Sequence, residues 1–167
     1  SAIGRGRLSE LSPLKGMKLT QLDCGYNRVS DLSPLEGMPL ENLSLWNTPV
    51  AKLGPLQEVM TLNSLDCTGT RVSDLSPLQG MHLKFFSCRN TAVTDLSPLK
   101  GMPLFSLDCG GTQVSDFSPL RESKLIAVFG EFKPERDADI LRSIKTLETI
   151  NGKPAAEFWK DVDAQKP

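Results

Sequence analysis

The stretch LSPLKGMPLFSLDCGGTQVSD, residues 96–116, contains the features that decide the fold of this 167-residue chain. The same pattern begins at Leu11, Leu32, Leu53 and Leu75, and a degenerate sixth copy begins at Phe117. The period is 21 residues, with one additional residue in the third copy. Because near-identical copies at a fixed period do not arise by chance, the chain is predicted to be a stack of similar structural units.

The spacing of apolar residues within each copy is typical of a leucine-rich repeat, in which one solenoid turn contributes one short strand. In the first copy Leu19, Leu22 and Cys24 are predicted to point inward from that strand. One turn cannot bury these side chains alone, whereas turns stacked ~4.8 Å apart place like residues in columns through a shared core. We therefore predict an α/β solenoid with a parallel sheet on its concave side. The predicted strands are residues 19–24, 40–45, 62–67, 83–88, 104–109 and 125–130.

The tripeptide Ser-Pro-Leu recurs on the opposite, convex side and predicts a short 3-10 turn in each copy. Proline suits the first position of such a turn, and the serine before it is predicted to act as the cap. Glycines that follow the tripeptide are predicted to end the turn. The third copy has Gly54 in place of the serine and no glycine after Gln57, so a wider convex turn is expected there.

The composition changes after the sixth strand. Residues 134–144 predict a helix with one apolar face, and residues 147–150 echo the start of a repeat and predict an extra short strand. A second helix is predicted over residues 154–162, where Phe158 and Trp159 would cover the open end of the core.

The predicted organisation is a leucine-rich repeat solenoid of about six turns followed by a helical C-terminal cap. The two parts are residues 1–132 and residues 133–167. The segment RLSEL at 7–11 matches RVSDL at 28–32, so the chain opens inside a repeat. We expect it to be the C-terminal part of a longer polypeptide.

Charge and hydropathy argue against two classes of partner. Lysine and arginine total 19 against 20 acidic residues, so no net positive field would attract the phosphates of a nucleic acid. The apolar runs are only a few residues long, far short of the ~20 that span a bilayer. We predict no nucleic-acid partner and no membrane insertion by this segment.

The repeat, with its VSDLSPLKGM connection, resembles the short bacterial leucine-rich repeats of the internalin type over about residues 8–132. Together with the ending FKPERDADILRSIKTLETINGKPAAEFWKDV, it also looks similar to C-terminal regions of large planctomycete proteins. The resemblance implies that side chains on the concave sheet bind a protein or peptide, and it implies no catalytic residues. The asparagine of the family pattern occurs here only as Asn27, and threonine replaces it in later copies, so a simpler side-chain ladder is expected.

The cysteines occupy one inward strand position in four copies, as Cys24, Cys67, Cys88 and Cys109. A column with one sulfur per rung cannot supply the tetrahedral convergence that zinc needs, and the spacing exceeds the ~3.8 Å between β-carbons of a disulfide. We predict buried, reduced thiols. The sequence predicts no cofactor and no metal site.

Three residues of the predicted concave sheet differ most from the small polar residues usual at their positions. Trp46 and Arg89 lie two rungs apart in one column, and Phe85 lies in another. Tryptophan, arginine and phenylalanine are residue types that anchor protein interfaces, so Trp46 and Arg89 are predicted to grip a ligand together. Tyr26, one step past the first strand, is predicted to line the rim.

Aspartates alternate with serines along the middle exposed column, as Asp23, Ser44, Asp66, Ser87 and Asp108. Alternate rungs are about 10 Å apart, too far for two carboxylates to share a proton or a metal. We predict that these aspartates pair with neighbouring serine hydroxyls and contribute to the partner-binding surface. Nothing marks a catalytic acid and base, and the lone His82 has no nucleophile beside it, so no enzymatic activity is predicted.

Three functions remain open from the sequence. The first is a protein-binding module that uses Trp46, Phe85, Arg89, Asp66 and Asp108, with Asp23 and Tyr26 at one end. The second is a structural spacer or cap that only extends a larger protein. The third is a parallel β-helix enzyme acting on carbohydrate, against which the Ser-Pro-Leu turns argue because a β-helix would need strands there.

Overall fold

The computed structural model describes residues 6–121 and 123–164 and contains one eight-stranded sheet with its strands in sequence order. Neighbouring strands from β1 to β7 are parallel, and β8 is antiparallel to β7. The strands are β1 Gln21–Asp23, β2 Asn42–Ser44, β3 Ser64–Asp66, β4 Phe85–Ser87, β5 Ser106–Asp108, β6 Ala127–Phe129, β7 Thr149–Ile150 and β8 Lys153–Pro154. Equivalent repeat positions pair with each other, so each repeat is one rung of a leucine-rich repeat solenoid.

The predicted strands have the right positions but the wrong length, because only three residues of each copy are paired as a strand. The ladder begins late because the chain bends just before each strand. The carbonyl of Lys84 accepts hydrogen bonds from the N–H groups of both Phe105 (2.8 Å) and Ser106 (3.1 Å). Because one carbonyl accepts both hydrogen bonds, the two residues at the strand entry do not alternate between the two faces of the sheet. The side chains of both residues point away from the core in each rung.

The core is a set of columns that run through all rungs. Each strand contributes its central residue, such as Leu65 or Leu107, and each convex turn contributes a leucine such as Leu56. The cysteine column lies beside them and is fully buried. As expected, the threonines that replace the family asparagine make a simpler ladder: Thr91 Oγ1 donates to the Cys88 carbonyl at 2.6 Å, within its own rung.

Short 3-10 turns form the convex side in every copy, as predicted. They are Ser12–Leu14, Ser33–Leu35, Gly54–Leu56, Ser76–Leu78, Ser97–Leu99 and Ser118–Leu120. The glycines predicted to end these turns adopt positive φ angles, which suits glycine because it has no β-carbon; they are Gly16, Gly37, Gly80 and Gly101. In the third copy Gln57 keeps a helical conformation, whereas its counterparts are extended, so the chain turns further there before the next strand.

The prediction that the serines cap these turns is wrong, because no turn has a side-chain cap from its N-cap residue and the serines lie inside the turn. The side-chain hydrogen bonds are made instead by the aspartate two residues before the serine. Asp95 accepts hydrogen bonds from the Ser97 N–H (2.7 Å) and hydroxyl (2.6 Å). The same pair of bonds recurs at Asp31, Asp74 and Asp116. These bonds stabilise the ionised form, so the pKa of each of the four carboxyl groups lies below its usual value.

The C-terminal region contains α1 (Pro134–Ser143), β7, β8 and α2 (Ala155–Ala164). The predicted extra strand is present as β7, and a tight turn with positive φ at Asn151 and Gly152 leads from it into β8, which was not predicted. Phe158 and Trp159 of α2 pack against the core, and the Arg142 guanidinium lies 4.3 Å from the Trp159 ring. Because β7 continues the sheet of the repeats, the division of the chain at residue 132 stays a prediction.

Candidate binding face

The concave face is formed by side chains that leave the sheet on the side away from the core. Four columns contribute to it, at the residue before each strand, at its first and third residues, and two residues past its end. Read along β1 to β5, the columns are Thr20, Glu41, Asn63, Lys84, Phe105; Gln21, Asn42, Ser64, Phe85, Ser106; Asp23, Ser44, Asp66, Ser87, Asp108; and Gly25, Trp46, Thr68, Arg89, Gly110.

Trp46 is half-buried at the rim of the concave face. Its indole lies over Gly25 of the preceding rung and occupies the space that a β-carbon at that position would need. It also contacts Tyr26 edge-to-face, with ring centroids 4.2 Å apart. Trp46 and Tyr26 therefore form one aromatic rim beside β1. This arrangement depends on the absence of a side chain at Gly25.

Arg89 is half-exposed and leans in the opposite direction, toward the following rung. Its Nη1 lies 3.7 Å from Asp108 Oδ2, and it passes above Gly110, where a β-carbon would come within 3.0 Å of the guanidinium. Trp46 and Arg89 therefore lean toward different neighbouring rungs, and their joint contact with a ligand stays a prediction. Each large residue rests on a glycine of a different neighbouring rung.

The three aspartates of the middle column share one geometry. In each, Oδ1 accepts a hydrogen bond from the N–H group two residues later, at 2.8 Å for Asp23 and Asp66 and 2.9 Å for Asp108. The predicted pairing of these aspartates with serine hydroxyls is wrong, because each Oδ1 bonds the local N–H group and the Ser87 hydroxyl instead shares a hydrogen bond with the Thr68 hydroxyl at 2.8 Å. These bonds fix the orientation of each carboxylate at the surface.

An apolar patch lies on the C-terminal half of the concave face. It consists of Phe85, Phe105 and Ile126, which are 50%, 38% and 40% exposed. The Phe85 and Phe105 rings meet edge-to-face with centroids 6.3 Å apart. Phe105 and Ile126 lie on adjacent rungs, joined by a hydrogen bond from the Ile126 N–H to the Phe105 carbonyl at 2.8 Å. Large apolar side chains exposed on successive rungs are typical of a binding surface.

Sequence reasoning found Phe85 and missed Phe105 and Ile126. The available signal was the same in kind, because a large apolar residue replaces polar ones of earlier copies: Gln21, Asn42 and Ser64 in the column of Phe85, and Thr20, Glu41 and Asn63 in the column of Phe105 and Ile126. The omission follows from regular alternation, which places residues 21, 23 and 25 of the first rung outward and the residue before Gln21 inward. The bend at the strand entry exposes that residue instead.

The cysteine column is buried as predicted, and all four thiols are free. Burial raises the pKa of Cys24 to about 11 and that of Cys109 to about 12, and it raises the pKa values of Cys67 and Cys88 well above the usual range. Thiols in this environment stay protonated at neutral pH and are weak nucleophiles. Within residues 6–121 and 123–164, no three His, Cys, Asp or Glu side chains are grouped as a metal ion would require.

Solved structures similar to this fold are bacterial internalins. Internalin C2 of Listeria monocytogenes has a TM-score of 0.78 and 25% identity, covering 87% of this chain and 67% of its own. The internalin InlF of the same species has a TM-score of 0.73 and 25% identity, covering 85% of this chain and 43% of its own. The functional domain of InlJ, also from Listeria monocytogenes and described as including a cysteine ladder, has a TM-score of 0.62 and 22% identity, covering 86% and 32%.

Sequence comparisons add no family assignment, since no family model and no curated protein matches the chain. The structural matches support the fold and the resemblance to bacterial internalin-like repeats. The chain's own 3-10 turns exclude a β-helix, because they occupy the convex positions where a β-helix has strands. The planctomycete resemblance finds no support in these comparisons and stays a prediction. No helix in the described part of the chain has the length and apolar content to cross a membrane.

Proposed function

We propose that this chain is a protein-binding module that recognises its partner through the concave face and carries out no catalysis. The observation that supports this most directly is the apolar patch, where Phe85, Phe105 and Ile126 hold three large side chains at the surface. Single exposed apolar side chains are common in folded proteins, but large ones on successive rungs form a contiguous apolar patch, and such patches mark interaction sites. The aromatic rim of Trp46 and Tyr26 extends the surface to β1.

The structural neighbours favour the same class of function. They are internalins, leucine-rich repeat proteins, and two of them share 25% identity with this chain over more than four fifths of its length. This chain spans less than half of InlF and InlJ, so any activity that depends on the remainder of such proteins lies outside the proposal. Protein binding by the repeat itself is the part that concerns this chain.

Site-specific photo-crosslinking tests the proposal. A benzophenone amino acid is placed at Phe85 on the concave face, and in a matched variant at Gln79 on the convex side, and each is irradiated in a lysate of the source organism. We expect one or a few proteins to crosslink at Phe85 and not at Gln79. Equal crosslinking at both positions would contradict recognition by the concave face, and no crosslinking at either would favour the structural spacer.

A further inference from the structure

The concave face is divided into two halves of different chemistry. On the columns of β1 to β3 the charged residues are Asp23, Glu41 and Asp66, and no lysine or arginine accompanies them. On the columns of β4 to β6 the cations Lys84 and Arg89 balance the two carboxylates Asp108 and Glu131, and the apolar patch occupies the surface between them. The first half is an acidic, polar surface and the second is a neutral, apolar one.

Two carboxylates of the acidic half, those of Asp23 and Asp66, are held in a fixed orientation and can pair with a cation from a partner. Asp23 and Asp66 each have Oδ1 held by a main-chain N–H group, and neither is paired with a cation among the described residues. Asp108 shows what such a carboxylate can do on this sheet, because the same local bond holds its Oδ1 while its Oδ2 pairs with the Arg89 guanidinium. A cationic side chain from a partner could make the equivalent pair at Asp23 and Asp66.

The length of the face fits an extended chain. From the residue before each strand to two residues past its end the exposed columns span six positions, about 17 Å at ~3.3 Å per residue, and from β1 to β6 they run about 24 Å at ~4.8 Å per strand. An extended segment of about seven or eight residues spans that length, and the width of the face leaves room for its side chains. The rim at Trp46 and Tyr26 borders one side of the face.

We propose that the ligand is an extended protein segment with lysine or arginine at one end and aliphatic or aromatic residues at the other. It lies along the solenoid axis with its basic end over β1 to β3 and its apolar end over the apolar patch. This inference rests on the proposed protein-binding function and adds the chemistry of the partner. Asp23 and Asp66 are two strand spacings apart, about 10 Å, which fits basic residues two to four positions apart in an extended chain.

A library of random twelve-residue peptides displayed on phage provides the probe. It is selected against the whole chain, and enriched peptides are measured as free peptides by fluorescence anisotropy. Two concave variants are compared, D23N/D66N for the acidic half and F85S/F105S/I126S for the apolar patch. The convex double variant E36Q/E58Q is the control. It also removes two negative charges, but from exposed glutamates that follow the convex turns. Circular dichroism verifies that each variant is folded.

The expected result is a set of peptides with basic residues at one end and apolar residues at the other. Their binding should weaken at least tenfold in D23N/D66N and in F85S/F105S/I126S, remain unchanged in E36Q/E58Q, and weaken as salt is raised. Peptides that need the apolar patch but bind D23N/D66N normally would overturn the basic end and leave the proposed function intact. Failure to enrich any peptide would overturn the extended ligand and leave the proposed function to the crosslinking test, whereas binding insensitive to both concave variants would overturn both.

Discussion

The convex and concave sides of the same rungs follow opposite rules. On the convex side, four copies repeat one arrangement. An aspartate accepts hydrogen bonds of 2.6–2.9 Å from the N–H group and the hydroxyl of the serine two residues later. On the concave side, equivalent positions hold residues as different as Gly25, Trp46 and Arg89. Repetition on one side indicates what the solenoid needs in order to fold. Variation on the concave side indicates positions at which folding places little constraint on the residue type, so these side chains can serve recognition.

The largest expected effect comes from a substitution on the convex side. Leu99 is 2% exposed in its 3-10 turn, and Leu99→Ala leaves a cavity, so we expect a loss of about 2–5 kcal/mol in unfolding free energy. Phe85→Ala is the matched concave variant, and because its ring is half-exposed the loss should be no more than about 0.5 kcal/mol. Urea unfolding followed by circular dichroism measures both. Comparable losses would contradict the division between the two sides.

A smaller effect is expected from the threonine ladder. Thr91→Val removes a hydroxyl that donates to the buried Cys88 carbonyl and should cost about 1 kcal/mol. Thr20→Val is the control, because Thr20 is exposed on the concave face and its loss of a hydroxyl should have no measurable effect on unfolding. The ladder would have no structural role if the two variants unfolded at the same urea concentration.

The convex aspartates should make stability depend on pH. Hydrogen bonds from Ser97 lower the pKa of Asp95 below 3.8, so the folded state keeps this carboxylate charged at pH values where the unfolded chain takes up a proton. Its contribution is complete above pH 3.8 and is lost as the pH falls through the lower, folded-state pKa. Asp95→Asn should therefore be less stable than the native chain at pH 6, and the difference should shrink at pH 2.5.

Ser97→Ala sharpens that experiment, because it removes the hydroxyl donor and keeps the main-chain N–H bond to Asp95. Its pH dependence should lie between those of the native chain and Asp95→Asn. A stability difference for Asp95→Asn that stays constant from pH 6 to pH 2.5 would show that these bonds do not perturb the carboxyl group.

The smallest expected effect lies on the concave side. Arg89→Gln removes the pair with Asp108, which spans 3.7 Å between half-exposed groups, so the change in unfolding free energy should stay within about 0.5 kcal/mol. Thermal unfolding of Arg89→Gln and of the native chain at low and high salt measures the change. A loss above about 1 kcal/mol would mean that this arginine supports the fold and is not free to serve recognition.

Much of the fold could be predicted because it depends on residues that recur. The leucine columns, the buried cysteines, the 3-10 turns and β7 all follow from apolar spacing or from Ser-Pro-Leu, and these signals are local. Strand length was overestimated because the bend at the strand entry depends on hydrogen bonds between rungs, such as the two that reach the Lys84 carbonyl. Spacing within one copy does not report such bonds.

The candidate site was harder to predict because it depends on contacts between copies. The direction of Trp46 follows from the space above Gly25, and that of Arg89 from Gly110 and Asp108, each a pairing of residues about one period apart. Comparing each outlying large residue with the glycine in the adjacent copy would have indicated both. Phe105 and Ile126 required knowing that the residue before each strand is exposed.

Binding affinity in two matched variants tests the central claim most directly. The ligand is the protein that crosslinks at Phe85, and its dissociation constant is measured by calorimetry with F85S/F105S/I126S and with the convex variant Q57S/Q79S. The account predicts at least a tenfold weakening for the concave variant and native affinity for the convex one, with both chains folded. Native affinity in the concave variant, or a loss confined to the convex variant, would contradict recognition by the concave face.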